Sequence, residues 1–234
     1  MIVVINISNY KNKYFLFGIF SMAVFNIILL FKKNKPKFIK FMGTGKNGTF
    51  DIVPHFNQWA LLGTWENLTD YKIFMKSSNF EKYINLFSSD NYALVLQPTM
   101  SHGLWDSQNP FESLGEKESK NNPVGVLTRA TIRLSKLRQF WQNVPLVSKD
   151  LDKNDGFIYS IGIGEIPFIK QATFSIWETE ENMKDFAYKK MDHNEVIKKT
   201  RKNDWYSEEL FARFCLKGYI GNAPLQIKKI LEEL

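Results

Sequence analysis

Along this chain, short stretches rich in β-branched and aromatic residues alternate with longer stretches of helical periodicity, and the order is given twice. Strands are predicted at Ile2–Ser8, Phe38–Met42, Trp59–Thr64 and Tyr92–Thr99, with helices over Asn12–Phe31 and Leu68–Phe87. The second half repeats the succession. Its strands fall at Val124–Arg133, Phe157–Ile163, Ala172–Trp177 and Leu210–Leu216, with helices over Lys136–Val144 and from Thr179 onward. Thr179-Glu180-Glu181-Asn182 places acids in a first helical turn, where they complement the helix dipole.

Individual residues recur as well. Trp65, Glu66 and Phe74 return as Trp177, Glu178 and Phe186 at one offset of 112 residues, and Gly43-Thr44-Gly45 has a counterpart in Gly162-Ile163-Gly164. A repeat of this length is one supersecondary unit made twice. Each unit reads βαββαβ, so the expected fold class is α+β: two tandem ferredoxin-like repeats whose sheets form a single-chain barrel of the dimeric α+β type, helices outside. Residues 1–105 would be the first repeat, with an apolar helix over 14–31. Residues 106–122 form a polar linker closed by Pro123, 123–220 the second repeat, and 221–234 a C-terminal tail or helix. Near the seventh strand, Ala172, Phe174 and Ile176 share one face, and Gln171, Thr173, Ser175 and Trp177 the other. The apolar set is expected to meet the helices, and the mixed set to line a cavity between the sheets.

Composition narrows the function classes. Hydrophobic residues make up 44% and aromatic residues 15%, led by 20 Phe, which suits either a ring-walled cavity or a well-filled core. A single cysteine, Cys215, excludes an intramolecular disulfide, and a reducing, cytoplasmic setting is the default. Three histidines, His55, His102 and His193, are too few for a Cys/His zinc cluster. The net charge of +7 belongs to residues 1–50, which hold eight lysines and no acid, so it argues against a nucleic-acid-binding face. Tyr14 to Phe31 is an uncharged run of 18 residues followed by Lys32, Lys33, Lys35 and Lys37. As a helix it reaches about 27 Å, slightly short of a hydrocarbon core of roughly 30 Å. It is read as a buried or interfacial helix rather than a span, because spanning would pull it off the sheet; its lysine collar suits the inner, anionic face of a membrane.

Several blocks then resemble one family. Gly125-Val126-Leu127-Thr128-Arg129-Ala130-Thr131-Ile132-Arg133, with Lys136-Leu137-Arg138-Gln139-Phe140-Trp141 after it, is similar to the spheroidene monooxygenase family. So are Gly162-Ile163-Gly164-Glu165-Ile166-Pro167, Lys170-Gln171-Ala172-Thr173-Phe174-Ser175-Ile176-Trp177, Trp205-Tyr206-Ser207-Glu208-Glu209-Leu210-Phe211-Ala212-Arg213-Phe214 and His102-Gly103-Leu104-Trp105-Asp106. The likeness covers nearly the whole chain, densely over 123–216 and more loosely over 1–90. It implies a carotenoid ketolase that oxidises a polyene terminus by successive hydroxylation. It also implies haem, molecular oxygen and an external electron donor such as ferredoxin.

Within that expectation, the axial ligand is sought among His, Cys, Tyr and Met. His193 is the first candidate, because it follows the seventh strand in the second unit whereas the aligned stretch of the first unit carries Phe80 and Glu81. The bland alternative is a surface histidine. His102 and Cys215 rank behind it. Arg129 and Arg213 lie mid-strand and are the candidates for stabilising charge on bound oxygen or a propionate; a rim salt bridge with Glu165 or Glu209 is the alternative. Trp177 is expected to wall the cofactor cavity. The rival functions are another haem-dependent reaction of peroxidase or dehydratase type, and a non-catalytic, membrane-attached binding module. Self-association is left open by the sequence.

Overall fold

In the computed structural model the described residues are 1–31, 36–46, 53–111, 122–148, 151, 154–189 and 203–232. The strands are β1 (Ile2–Tyr10), β2 (Phe38–Gly45), β3 (Pro54–Trp65), β4 (Ser88–Gly103), β5 (Val124–Ile132), β6 (Phe157–Ile166), β7 (Lys170–Trp177) and β8 (Tyr206–Gly221). The helices are α1 (Phe15–Leu30), α2 (Leu68–Ser77), α3 (Phe80–Phe87), α4 (Leu137–Ser148), α5 (Glu180–Lys189) and a short α6 (Leu225–Lys228). All eight predicted strands form, most of them longer than the sequence pattern suggested.

The strands close into one antiparallel barrel in the order β1-β3-β2-β6-β7-β5-β8-β4. Each half therefore contributes four adjacent strands, and the halves join along β2–β6 and β4–β8. At the first seam Gly43 pairs with Gly164 and Thr44 with Ile163, so the glycine-bearing segments that correspond in the repeat meet across it. A β-carbon on Gly164 would collide with the Gln171 side chain folded over it, at 2.9 Å.

Alternation sorts every strand into an inner and an outer face. Inside lie Val3, Ile5, Ile7, Met42, Leu62, Leu94, Leu96, Leu127, Ile161, Ile163, Ala172, Phe174, Ile176, Ala212 and Phe214, all in one buried cluster. The barrel interior is thus a packed core. This corrects the expectation for β7: its apolar residues point into the barrel, and Gln171, Thr173, Ser175 and Trp177 point out toward the helices. Closing a sheet on itself makes its interior the driest place in the molecule, so the apolar set goes there.

The outer faces carry the helices. Trp65 packs on Tyr71 and Phe74 of α2, at ring-centroid distances of 5.0 and 5.8 Å. Trp177 packs on Phe186 of α5 at 5.1 Å. The repeated Trp and Phe are therefore the contact that fixes each half's helix to its strand end. The single helix expected over Leu68–Phe87 is instead α2 and α3, broken where Asn79 turns left-handed at φ 61°. An Asn tolerates that conformation and ends a helix much as glycine does. At its other end α2 is capped by Asn67, whose side chain accepts from the Asp70 amide at 2.9 Å.

Both barrel ends are closed. At one, Tyr92 and Tyr159 share a hydrogen bond of 2.8 Å, and Ile227 of α6 is fully buried in the interior cluster. At the other, the residues after β4 fold back as a plug: Trp105 and Phe111 are fully buried, Trp105 lying 5.2 Å from Phe38 and Phe111 5.2 Å from Phe214. The stretch read as the start of a linker thus begins inside the barrel; residues 112–121 lie outside the described residues.

Candidate functional site

The two mid-strand arginines face opposite sides of the barrel wall. Arg129 shares the inner face of β5 with Leu127 and lies at the plugged end. It is 1% exposed and binds Glu208, with Asp106 at 3.6 Å and Glu165 at 3.7 Å. Lys40 pairs with Asp106 and with Glu165 at 2.9 Å, and Lys170 with Asp106 at 2.6 Å. Trp105 donates its indole N–H to Glu165 at 2.8 Å, and the amides of Asp106 and Ser107 donate to Glu208 at 3.0 and 2.7 Å. Three cations and three carboxylates therefore balance at a single barrel end. Burial would raise the Asp106 carboxyl, but hydrogen bonds from Lys170 and Lys40 overcome this and hold it at about 2. Glu208 is likewise held below the ordinary range: burial opposes the shift, and the Ser107 and Asp106 amides and Arg129 outweigh it. Lys40 is raised because its bonds to Asp106 and Glu165 outweigh burial. Such a network fixes the plug.

Arg213 lies on the outer face of β8, level with Val126 of β5. Its guanidinium binds Glu180, the first residue of α5, and stacks on Phe211 at 5.6 Å. Around it, the outward residues of the second half are unusually polar: Thr128 on β5, Ser160 on β6, and Gln171, Thr173 and Ser175 on β7. Thr128 is exposed although it sits mid-strand, and Ser160, Thr173 and Ser175 are only half-buried. Two buried polar atoms here, Thr173 Oγ1 and Arg213 Nε, lack a hydrogen-bond partner. Unpaired buried donors and acceptors are costly, and such atoms mark a place where a partner is expected.

Trp177 closes one end of this surface. It is 2% exposed, donates its indole N–H to Ser175 Oγ at 3.0 Å, and packs on Phe157 at 5.4 Å and on Phe186. Met183 of α5 and Leu151 complete that cluster. Trp177 and Arg213 thus stand on the same outer face, as two of the predicted site residues, while Arg129 does not join them. His193 lies outside the described residues, four positions beyond the end of α5. His102 is exposed on β4, and Cys215 is buried on the outer face beside Val124. Among the described residues no group of three or more His, Cys, Asp and Glu is arranged to hold a metal ion.

Of the outward polar residues, Thr128 and Ser160 are not singled out by the sequence pattern, and Thr173 and Ser175 are expected from it to line an interior cavity rather than this outer face. The repeat itself held the signal. At the offset of 112, Thr173 corresponds to Leu61 and Ser175 to Gly63. The strand registers extend the correspondence: Asn6 pairs with Leu61 and Ala93 as Thr128 pairs with Thr173 and Phe211, and Val4 with Val95 as Val126 with Arg213. At all of these positions but the buried Val4 and Val126, the second half is more polar or more open.

No protein-family model matches the chain. A spheroidene monooxygenase from Cereibacter sphaeroides is 35% identical over 189 residues, 80% of this chain, and the match spans 58% of that protein's length. The spheroidene monooxygenase of Rhodobacter capsulatus is 35% identical over 202 residues, 84% of this chain and 83% of the relative, and that of Rubrivivax gelatinosus 30% identical over 76% and 68%. In fold, the chain is similar to crystal structures of aldoxime dehydratase. One, in complex with butyraldoxime, gives a TM-score of 0.59 at 6% identity over 100% of this chain and 86% of that one. Another gives 0.56 at 7% over 92% and 80%. With more than a third of the residues shared over four fifths of both chains in the Rhodobacter comparison, this chain belongs to the spheroidene monooxygenase family.

Proposed function

We propose that the chain is a haem-dependent monooxygenase that oxidises a carotenoid-like apolar substrate by successive hydroxylation, using molecular oxygen and electrons from an external donor such as ferredoxin. Family membership supports the oxygenase reading, and the observation that carries the site is the unsealed outer face of the second half. There the unpartnered Thr173 Oγ1 and Arg213 Nε lie on the outer face that α5 joins, with Trp177 at one end. The residues fit a flat, partly anionic group. Arg213 is the cation for a propionate, Phe211 is the half-buried ring that would lie against a macrocycle, Trp177 backs the site from beneath Phe186, and Thr128 and Thr173 supply hydroxyls on the same face. His193, in the chain that follows α5, is the proposed iron ligand. When bound, haem would supply the oxygen-activating chemistry. The chain's own part would be to hold an anionic group through Arg213, to exclude water with Trp177, and to offer a Thr128 or Thr173 hydroxyl as proton donor.

Substitution of the ligand tests this reading. His193→Ala should reduce haem affinity by on the order of a hundredfold, since even the outer partners of a metal ligand are worth 10–100-fold. Added imidazole should restore the visible spectrum, and the far-ultraviolet circular dichroism should not change. A variant with the wild-type spectrum and turnover would move the ligand elsewhere. Expression in a carotenoid-producing host, with pigment masses measured, tests the substrate class; an unchanged pigment profile beside haem-loaded protein would exclude ketolation.

A further inference from the structure

Apart from a buried Ser21 and an exposed Asn26, the described side chains of helix α1 are apolar on every side, yet only one side is packed. Gly18, Ser21, Phe25 and Leu29 lie on the barrel-facing stripe. Gly18 meets the Trp59 ring so closely that a β-carbon would collide with it, Phe25 stacks with Phe41 and Phe80 at 5.1 and 4.1 Å, and Leu29 joins the same buried cluster. The opposite stripe is Phe15, Leu16, Ile19, Phe20 and Ile27, with Phe20 59% and Ile27 55% exposed. Phe31, immediately after the helix, is 83% exposed, and Phe56, whose carbonyl accepts from the Trp59 ring, is 56% exposed. A helix apolar all round is ordinarily buried on all sides, and a contiguous exposed patch of this size marks an interaction surface.

We infer that this face of α1 lies in the plane of an anionic lipid bilayer, its exposed stripe in the acyl boundary and its packed stripe still on the barrel. Length and attachment set the orientation. The 16 residues of α1 rise about 24 Å, less than a hydrocarbon core of roughly 30 Å. Its other stripe is held by β1, β2 and β3, so it cannot turn upright without unpacking Phe25 and Leu29. Charge selects the occupant. Lys11 and Lys13 are exposed just before the helix, Lys32, Lys33 and Lys35 follow Phe31 in sequence, and no acidic residue occurs before Asp51. A second copy seated face to face would bring these lysines against their own equivalents, whereas anionic headgroups complement them. The surface would also bring the protein to the phase in which an apolar polyene dissolves. The inference does not depend on the haem reading, because α1 packs on the first half and the proposed cofactor face is on the second.

The test is flotation of the full chain, without added haem, with vesicles of phosphatidylcholine alone and of phosphatidylcholine with phosphatidylglycerol. Binding is expected to the mixed vesicles, weakening as salt is raised. The double variant Phe20→Glu with Ile27→Glu changes two exposed positions, so circular dichroism and thermal melting should match the wild type, and binding should fall by about tenfold or more. Leu134→Glu, at a 70% exposed position on the second half, should bind as the wild type does. Failure to bind the mixed vesicles, or binding unchanged in the double variant, overturns the inference. So does a concentration-dependent dimer in analytical ultracentrifugation that the double variant dissociates while vesicles go unbound, since a second copy would then cover the face.

Discussion

On the first half, α1, α2 and α3 cover the outer face of the sheet, leaving a small cleft under α1 lined by Asn6, Ser21, Phe25 and Leu61; on the second, the equivalent surface carries exposed and half-buried polar residues. Val4, Asn6, Leu61, Ala93 and Val95 are each no more than 5% exposed. Their structural counterparts are Val126, Thr128, Thr173, Phe211 and Arg213, of which Thr128 is exposed and Thr173, Phe211 and Arg213 are half-buried. The two halves share strand order and the Trp-to-Phe anchor of helix on strand, but α1 lies across β1, β2 and β3 whereas Phe140 of α4 clusters with Ile132 and Trp205 at a strand end, so the difference lies in helix placement as well as in a few side chains. A duplicated unit needs only one copy to hold a ligand. The other is free to become core, and the apolar Leu61 and Val95 show which copy did.

The same contrast separates the two arginines, and the largest effect is expected there. Arg129→Met would leave Asp106, Glu165 and Glu208 with a surplus of negative charge at a buried barrel end. Loss of about 3–5 kcal/mol is expected in urea denaturation. Arg213→Met removes a partly exposed pair with Glu180 and should cost no more than about 1 kcal/mol while weakening haem binding. Equal stability losses would erase the distinction between an arginine that holds the fold and one that serves the outer face.

Next in size is an exchange of equivalent residues between halves. Leu61→Thr puts a hydroxyl and a void beneath α1, and should destabilise by about 2–3 kcal/mol. Thr173→Leu should leave stability within about 1 kcal/mol yet reduce haem affinity. If Thr173→Leu proved as damaging to the fold as Leu61→Thr, the second face would be core like the first.

The smallest effect is that of pH. Asp106 and Glu208 are both held below their unfolded values, Asp106 at about 2. Depressed carboxyls contribute stability that is fully present above the unfolded value, near 4, and is lost as pH falls toward the folded one. The urea midpoint should therefore decline as pH drops from about 4 toward 2, and decline less in Asp106→Asn. A midpoint flat over that window would mean the plug's ion pairs do not contribute to stability.

How much of this was legible in the sequence depends on what each signal measures. Alternation along β7 correctly grouped Ala172, Phe174 and Ile176 apart from Gln171, Thr173, Ser175 and Trp177. It could not say which group points inward, because a sheet covered on its second face by helices is buried on both. The barrel closure decided it. The Asn79 break was hidden for a local reason: one Asn in a left-handed turn leaves the helical periodicity on either side intact. The plug at the barrel end draws on Lys40, Asp106, Arg129, Glu165, Lys170 and Glu208, residues far apart in sequence, and only the Arg129–Glu165 pairing was within reach of pattern reading. The polar outer face was legible in principle, since Leu61 and Thr173 occupy the same place in the repeat and differ in polarity.

The most direct test of the central claim is a haem titration, followed by absorbance, of the wild-type protein beside Thr173→Phe, with both shown folded by circular dichroism. The account predicts one haem per chain in the wild type and little or none in Thr173→Phe, because the added ring fills the second half's outer face. No haem absorbance in the wild type, or equal affinity in the variant, would contradict it.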